Sequence, residues 1–343
     1  MATGDLIFGD SFQHYQTDVG ELSSKWTAAG VMATAQVGPS LSMFDVVRDQ
    51  VLHASGNGVN YWAKVLAANY AAGTLGTYFR TGSFTQVSTI ISALDAGAVQ
   101  LDVRYTTGGL ITVTRNGTVL FTSTNALAIN TPYHIEFLFT IDQTTGTYEV
   151  KVDGSSVGWV PQQTAADTAN TANEYFNEIR VHGFDDNGSG SGNHRYSHLY
   201  LLEGLNSVGP SVGRIMAPVG AGTNAAWTPN YASNWANVVS ADGDYTFNQS
   251  ATAAQQDSHS LTDAPSNTVH GVQAVLQVRQ DAGSGHTVRA FLRIAGTNYF
   301  GAAKATGATY GMLLWVWTLN PATAAAWTTA DLAGVELGYE FVS

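Results

Sequence analysis

Chemistry on a sugar backbone begins with paired carboxylates, and one strand-like run offers them. Glu149, Lys151 and Asp153 alternate along GTYEVKVDG, so they share a face. Glycoside cleavage needs two carboxyl groups flanking the scissile bond. Here a lysine separates the acids and a turn follows at once, which reads as a solvated edge of alternating charge. Asp242 and Asp244 repeat the spacing inside DGD, a turn sequence. Neither set is a catalytic candidate, and the chain is expected not to be an enzyme.

Three other groupings carry potential chemistry. Asp185, Asp186 and Asn187, in the loop FDDNGSGSGN, present hard oxygen donors of the kind Ca²⁺ takes. They are a weak candidate, because Tyr196 stands where an EF-hand loop beginning at Asp185 would need its glutamate. His194 and His198 have the i, i+4 spacing of a zinc pair on a helix. On the strand expected here they share a face with Tyr196 and Tyr200, about 13 Å apart, too far for one metal. Five of the eight tryptophans, Trp227, Trp235, Trp315, Trp317 and Trp327, fall in the second half. Exposed aromatic rings make sugar-stacking platforms, whereas tryptophan in a sandwich belongs to core or interface. TYGMLLWVWTL is apolar on both faces: Met312, Leu314 and Val316 on one, Leu313, Trp315, Trp317 and Leu319 on the other. The face with Leu313, Trp315 and Trp317 is expected to meet another subunit.

The elements that position these residues are strands. The chain has 343 residues, enough for about two domains, and is 44% hydrophobic but only 12% charged. The net charge of −12 comes from 9 basic and 18 acidic residues in 1–206, and 5 and 8 in 207–343. No run of lysine or arginine supplies a phosphate-neutralising footprint, so nucleic acid is excluded as a partner. Without cysteine there are no disulfides and no thiolate metal sites, which fits assembly in a reducing cytoplasm. The start, MATGDLIFGDSF, has no signal-peptide pattern, and no apolar run is long enough to span a membrane.

Turn signals recur about every ten residues between alternating runs, the spacing of sandwiches and barrels. In HIEFLFTIDQTTGTYEVKVDG, residues 134–154, Ile135, Phe137, Phe139 and Ile141 share a face that Tyr148, Val150 and Val152 continue. The other face, with Glu136, Glu149, Lys151 and Asp153, is expected to meet water. A turn at Gln143–Gly146 would set Ile141 opposite Tyr148, Phe139 opposite Val150 and Phe137 opposite Val152. Asn116-Gly117 marks a second hairpin with a type I′ turn. Residues 164–176 read as a loop or short helical piece. GLNSVGPSVG, 204–213, is the expected boundary. Beyond it lie strands within 269–280, 286–296, 309–320 and 334–342, and Thr328-x-x-Asp331 marks one short helix. The fold class is therefore all-β, two β-sandwich, jelly-roll-like domains in tandem, 1–206 and 207–343.

Three stretches of the first half, GDSFQHY…LSSKW, YFRTGSF through TYEVKVDG, and NEIRVHGF…RYSHLYLLEG, resemble a concanavalin A-like, laminin-G type jelly roll. Similar phage proteins often carry two aspartates before the last strand, where this chain has Ser197-His198. Laminin-G-like domains often bind Ca²⁺, which is why the Asp185 loop is noted. Concanavalin-like glucanases carry Glu-x-Asp-x-x-Glu, and no Glu-x-Asp occurs in this chain. In the second half MAPVGAGTNAAWTPN, SNWANV, DGDYTF and NPATAAAWTTADLAGVELG resemble the C-terminal β-domain of tailed-bacteriophage tail and virion proteins. The resemblance implies a structural protein of the virion surface, in tail, fibre or head decoration, assembled in the bacterial cytoplasm. Its implied partners are other virion proteins and itself, a homotrimer being favoured. The alternative is an adhesin whose jelly roll binds host surface glycan.

Overall fold

The computed structural model describes residues 5–12, 25–26, 28–29, 34–38, 51–56, 61–185, 194–239, 244–262, 267–281, 283 and 285–343. The chain divides into two compact units, Met1–Gly213 and Arg214–Ser343. Regular structure is almost all strand, so the all-β sandwich class read from the sequence holds.

In the first unit a nine-stranded sheet runs in the order Ser155–Ala166, Gly146–Val152, Tyr133–Thr140, Ala72–Thr81, His194–Glu203, Val51–Gly56 and Phe184–Asp185. Leu6–Asp10 joins it along His194–Glu203, and Thr34–Gly38 along Val51–Gly56. A seven-stranded sheet runs Thr118–Ala126, Leu110–Arg115, Ala98–Tyr105, Ser88–Asp95, Phe176–His182, Tyr61–Tyr70 and Ala28–Ala29. The sheets pack face to face through side chains of period two. Phe137 and Phe139 stack at 4.7 Å between ring centroids, and Phe139 meets Phe176 of the other sheet at 5.0 Å. Burying each such ring contributes roughly 1.5–3 kcal/mol.

The 133–152 hairpin keeps its expected core face but not its expected register. Ile135 pairs with Val152, Phe137 with Val150 and Phe139 with Tyr148. The turn is responsible. Asp142 accepts the backbone N–H groups of Thr144 at 2.7 Å and Thr145 at 2.6 Å, which lengthens the connection to Ile141–Thr145. A shift of two residues changes every partner and leaves each side chain on its own face. At the other hairpin Asn116 (φ 43°) and Gly117 (φ 86°) both take the positive φ of a type I′ turn. The strand Ser155–Ala166 runs into the segment expected to be loop, and irregular chain follows to Phe176.

In the second unit a six-stranded sheet carries Pro218–Ala225, Gln256–Leu261, Glu336–Phe341, Thr287–Ile294 and Thr297–Phe300 in that order, with Lys304–Ala305 beside Thr287–Ile294. Val272–Val278 and Gly311–Trp317 form a separate antiparallel pair. Thr328 and Asp331 bond reciprocally at the start of a single 3₁₀ turn, Ala330–Leu332.

The pair 272–278/311–317 corrects the expected interface. Trp315 is only 4% exposed and lies in a core cluster with Ala274, Val288, Ala290 and Phe341, against which Leu313 and Trp317 also pack. Its Nε1–H donates to the Ala302 carbonyl at 2.7 Å. Gly301 makes the room, since a Cβ there would overlap the indole. The face expected to meet a subunit is thus the inward one, because the six-stranded sheet supplies the apolar cover that the sequence left unassigned. Leu313, Trp315 and Trp317 form no exposed patch.

Candidate functional site

The strand Ala72–Thr81 lies in the middle of the nine-stranded sheet, between Tyr133–Thr140 and His194–Glu203. Leu75 and Phe79 point into the sandwich and are fully buried. Alternation therefore turns Tyr78 and Arg80 to the outer face. Register then assembles rows across three strands. Arg195 stands directly opposite Arg80; Ser197 and His134 flank Tyr78; Tyr200 and Glu136 flank Gly76.

Two guanidinium groups in direct cross-strand register repel one another. Arg80 donates to Asn130 Oδ1 at 3.1 Å, and among the described residues no carboxylate forms an ion pair with Arg80 or Arg195. Burial, and then the neighbouring Arg80 charge, lower the Arg195 pKa. The adjoining row contains two buried polar atoms, Ser197 Oγ and His134 Nδ1, with no hydrogen-bond partner among the described residues. Such orphans are few in native proteins and ask for a cause. Burial holds the His134 pKa down at about 4, against the upward pull of Glu136 and Asp153. Burial, then the Asp153 charge, raises the Tyr78 hydroxyl.

The third row is closed by the chain itself. Glu136 is fully buried and accepts from the Tyr200 hydroxyl at 2.8 Å, the Ser207 hydroxyl at 2.5 Å, and the N–H groups of Val208 at 2.9 Å and Gly209 at 3.2 Å. This corrects the reading of Glu136 as a solvated residue: the segment 204–213, expected to be the boundary, folds back over it. With the Tyr200 proton committed to Glu136, His134 Nε2–H donates to the Tyr200 oxygen at 3.2 Å, which leaves Nδ1 a bare acceptor. Gly76 is required beneath the Tyr200 ring, where a Cβ would overlap it.

The sequence-derived candidates fall elsewhere. Asp186 and Asn187 lie outside the described residues; Asp185 contributes backbone to the strand Phe184–Asp185. Among the described residues no group of three or more His, Asp or Glu stands close enough to hold a metal ion. His194 and His198 do not share a face with both tyrosines, because the strand bulges between Ser197 and Tyr200, with His198 at φ 51°. His194 points inward, its Nδ1–H donating to the His182 carbonyl at 2.7 Å and its Nε2 accepting from Tyr105 at 2.8 Å. Lys151 and Glu149 are 3.9 Å apart, while Asp153 accepts the His134 backbone N–H at 2.9 Å. Sequence reasoning missed Tyr78, Arg80, His134 and Tyr200 as a group. Their only signal was polar character at alternate positions, and cross-strand register was needed to join them.

No model of a known protein family matches the chain, and no curated protein matches it. Among solved structures it is similar to a sialidase (12% identity, TM-score 0.42, covering 59% of this chain and 19% of the sialidase). It is also similar to the alginate lyase Aly36B (12% identity, TM-score 0.41, 60% of this chain and 98% of the lyase). A third is the receptor binding domain of botulinum neurotoxin C/D mosaic serotype (12% identity, TM-score 0.41, 59% of this chain and 49% of that one). The chain thus spans about a fifth of that sialidase's length. At this likeness they assign no activity to the chain. A sialidase and an alginate lyase stand among these structural neighbours, against the expectation that the chain is not an enzyme.

Proposed function

We propose that the chain binds an acidic glycan on the outer face of its nine-stranded sheet, as a surface component of a bacteriophage virion. The observation that carries the glycan site is the directly opposed pair Arg80 and Arg195, with no carboxylate among the described residues to neutralise it. A carboxylate or sulfate bridging the two guanidinium groups relieves their repulsion and gains charge-assisted hydrogen bonds. Tyr78 lies one row away and keeps part of its ring in solvent, where a sugar finds a partner. An excess of acidic residues elsewhere gives such a ligand a single favourable place to settle. The virion role, with self-association and other virion proteins as partners, rests on the sequence motifs of the second half.

The test is a glycan array and calorimetry with full-length protein, using uronate-containing, sulfated and neutral oligosaccharides. Acidic ligands are expected to bind, with affinity falling as salt rises, and to lose roughly tenfold or more in Arg80→Gln or Arg195→Gln. Equal binding of neutral and acidic ligands, or unchanged affinity in both variants, overturns the site. Following reducing ends in the same mixtures shows whether bound glycan is also cleaved. Peptide mass spectrometry of purified virions tests the location; absence from particles overturns it.

A further inference from the structure

The ribbon Val272–Val278/Gly311–Trp317 is covered on one face only. On its inner face Ala274 and Trp315 lie in one core cluster, with Leu276, Val278 and Leu313 packed against it, and Val272 packs against the other. Register and alternation put Gln273, Val275 and Gln277 on the outer face, opposite Val316, Leu314 and Met312 in that order. Met312 is buried, but Val275, Leu314 and Val316 keep part of their surface in water and belong to neither cluster.

The edges of the ribbon are as incomplete as its outer face. Among the described residues no third strand pairs with either member. A two-stranded sheet is marginal by itself, and natural sheets blunt their edges with charge, proline or a bulge. VQAVLQV and GMLLWVW contain no charged residue and no proline, and their seven-pair register runs without a bulge. The Trp327 Nε1–H donates to the Trp317 carbonyl at 2.8 Å, so the second strand already has a neighbour at its end. That leaves Val272–Val278 as the strand to extend. Charge begins directly beyond it, where Arg279 meets Asp244 at 3.0 Å and Asp281 at 3.2 Å. A chargeless strip bordered by ion pairs has the composition of an interface core and its rim.

We propose that Val272–Val278 pairs antiparallel with the same strand of a second copy, joining two ribbons into one four-stranded sheet. The strand is its own complement. A two-fold axis at Val275, its middle residue, sets Val275 against Val275 of the second copy, Val272 against Val278 and Gln273 against Gln277, so apolar meets apolar and amide meets amide. Leu314, Val275 and their counterparts then make one apolar row across the joined sheet. Each copy carries a net charge of −12, so a strip without ionisable groups is where two copies meet at least electrostatic cost. This contact rests on the self-association proposed above and gives it a surface. Being two-fold, it builds even-numbered assemblies, in contrast to the trimer that the sequence resemblance implies.

Light scattering on the full chain at micromolar concentration should give twice the chain mass or a higher even multiple. Val275→Lys and Val275→Glu each set like charges face to face across the axis and should halve that mass, with circular dichroism matching the parent. Mixing the two sets lysine against glutamate and should restore the mass, with the mixed pair binding roughly tenfold or more tighter than either variant binds itself. Hydrogen exchange on the parent needs no variant: amides of 272–278 should lose protection on dilution while those of 287–294 keep it. A monomeric parent leaves the edge to some other strand and ends the ribbon contact and the self-association together. A multimer that both variants leave intact, an odd-numbered multimer, or protection of 272–278 that ignores dilution refutes the ribbon and spares self-association. Failure of the mixture to regain mass refutes the two-fold register. Acidic-glycan binding should be unchanged in both variants, because Arg80 and Arg195 belong to the first unit; its loss would assign Val275 to ligand binding and overturn the contact.

Discussion

The two outer faces of the first unit are built from the same kind of antiparallel sheet and treat charge in opposite ways. On the seven-stranded sheet Arg104 forks onto buried Asp102 at 3.0 and 2.6 Å, and Arg180 pairs with Glu178 at 2.6 Å. Thr114 adds a hydrogen bond to Asp102, and Arg180 also lies over the Tyr61 ring at 4.0 Å. On the nine-stranded sheet Arg80 faces Arg195. A face whose charges are matched within the chain has nothing left for a ligand. A face that keeps two cations in register, with no carboxylate among the described residues to pair them, forgoes stability that a ligand can restore.

The largest effect expected from this contrast follows from Asp102→Ala. It strands Arg104 and Thr114 and should cost about 3–5 kcal/mol in urea unfolding. Arg80→Ala or Arg195→Ala should cost less than about 0.5 kcal/mol or stabilise, because a like-charge repulsion is removed. Equal losses on the two faces would make the arginine pair structural and erase the comparison.

Acid should act on buried histidines inside the sandwich as well as on its surface. Burial lowers His134 and His194 from 6.5 to about 4, so the folded state disfavours their protonation. For groups depressed on folding, the stability they supply is complete above pH 6.5 and drains away as pH falls toward 4. Each should contribute a slope of about 1.4 kcal/mol per pH unit in that window. Chemical denaturation at several pH values measures it. His134→Gln should flatten the dependence while leaving the His194 part, and an unchanged profile would mean that the His134 row is open to water.

Much of the first unit was legible from alternation: the core face of 133–152, the Asn116-Gly117 turn and the strand runs needed only a period of two. What stayed hidden depends on partners distant in sequence. Register slipped because the Asp142 side chain lengthened its own turn, an interaction no periodicity reveals. Glu136 looked solvated because it sits among Glu149, Lys151 and Asp153 in the pattern, yet its partners are 64 to 73 residues away. His194 and Tyr200 separated onto opposite faces through one bulge. Trp315 turned inward because a separate sheet covers it. The arginine pair required knowing that residues 80 and 195 are neighbours, which their spacing in sequence does not suggest.

Glu136 offers the next test. Its carboxylate gathers four donors, three of them from Ser207–Gly209. Glu136→Ala should remove them together, cost roughly 2–3 kcal/mol, and release residues 205–210 for protease attack. Resistance of that segment in the variant, followed by mass spectrometry of timed digests, would show that the strap is held by something other than Glu136.

The smallest effect belongs to Glu149, which shares the outer face but not its strain. Its contact with Lys151 is 3.9 Å long, and both side chains keep some contact with water. Pairs of this kind contribute about 0–1 kcal/mol. Glu149→Ala should therefore change the urea midpoint little. It should also leave acidic-glycan affinity within about twofold, since it stands on an outlying strand, two places across the sheet from the strand of Arg80. Asp153→Ala is the informative partner. Asp153 sits at φ 52° and accepts the His134 N–H, so its loss puts an alanine in the left-handed region and frees the backbone beside the orphaned imidazole. The expected order is a cost of about 1–2 kcal/mol for Asp153→Ala, against less than about 1 kcal/mol for Glu149→Ala. Should Glu149→Ala prove the costlier of the two, the outlying strand carries matched charge of its own, and the unmatched region narrows to the rows of Arg80 and Tyr78.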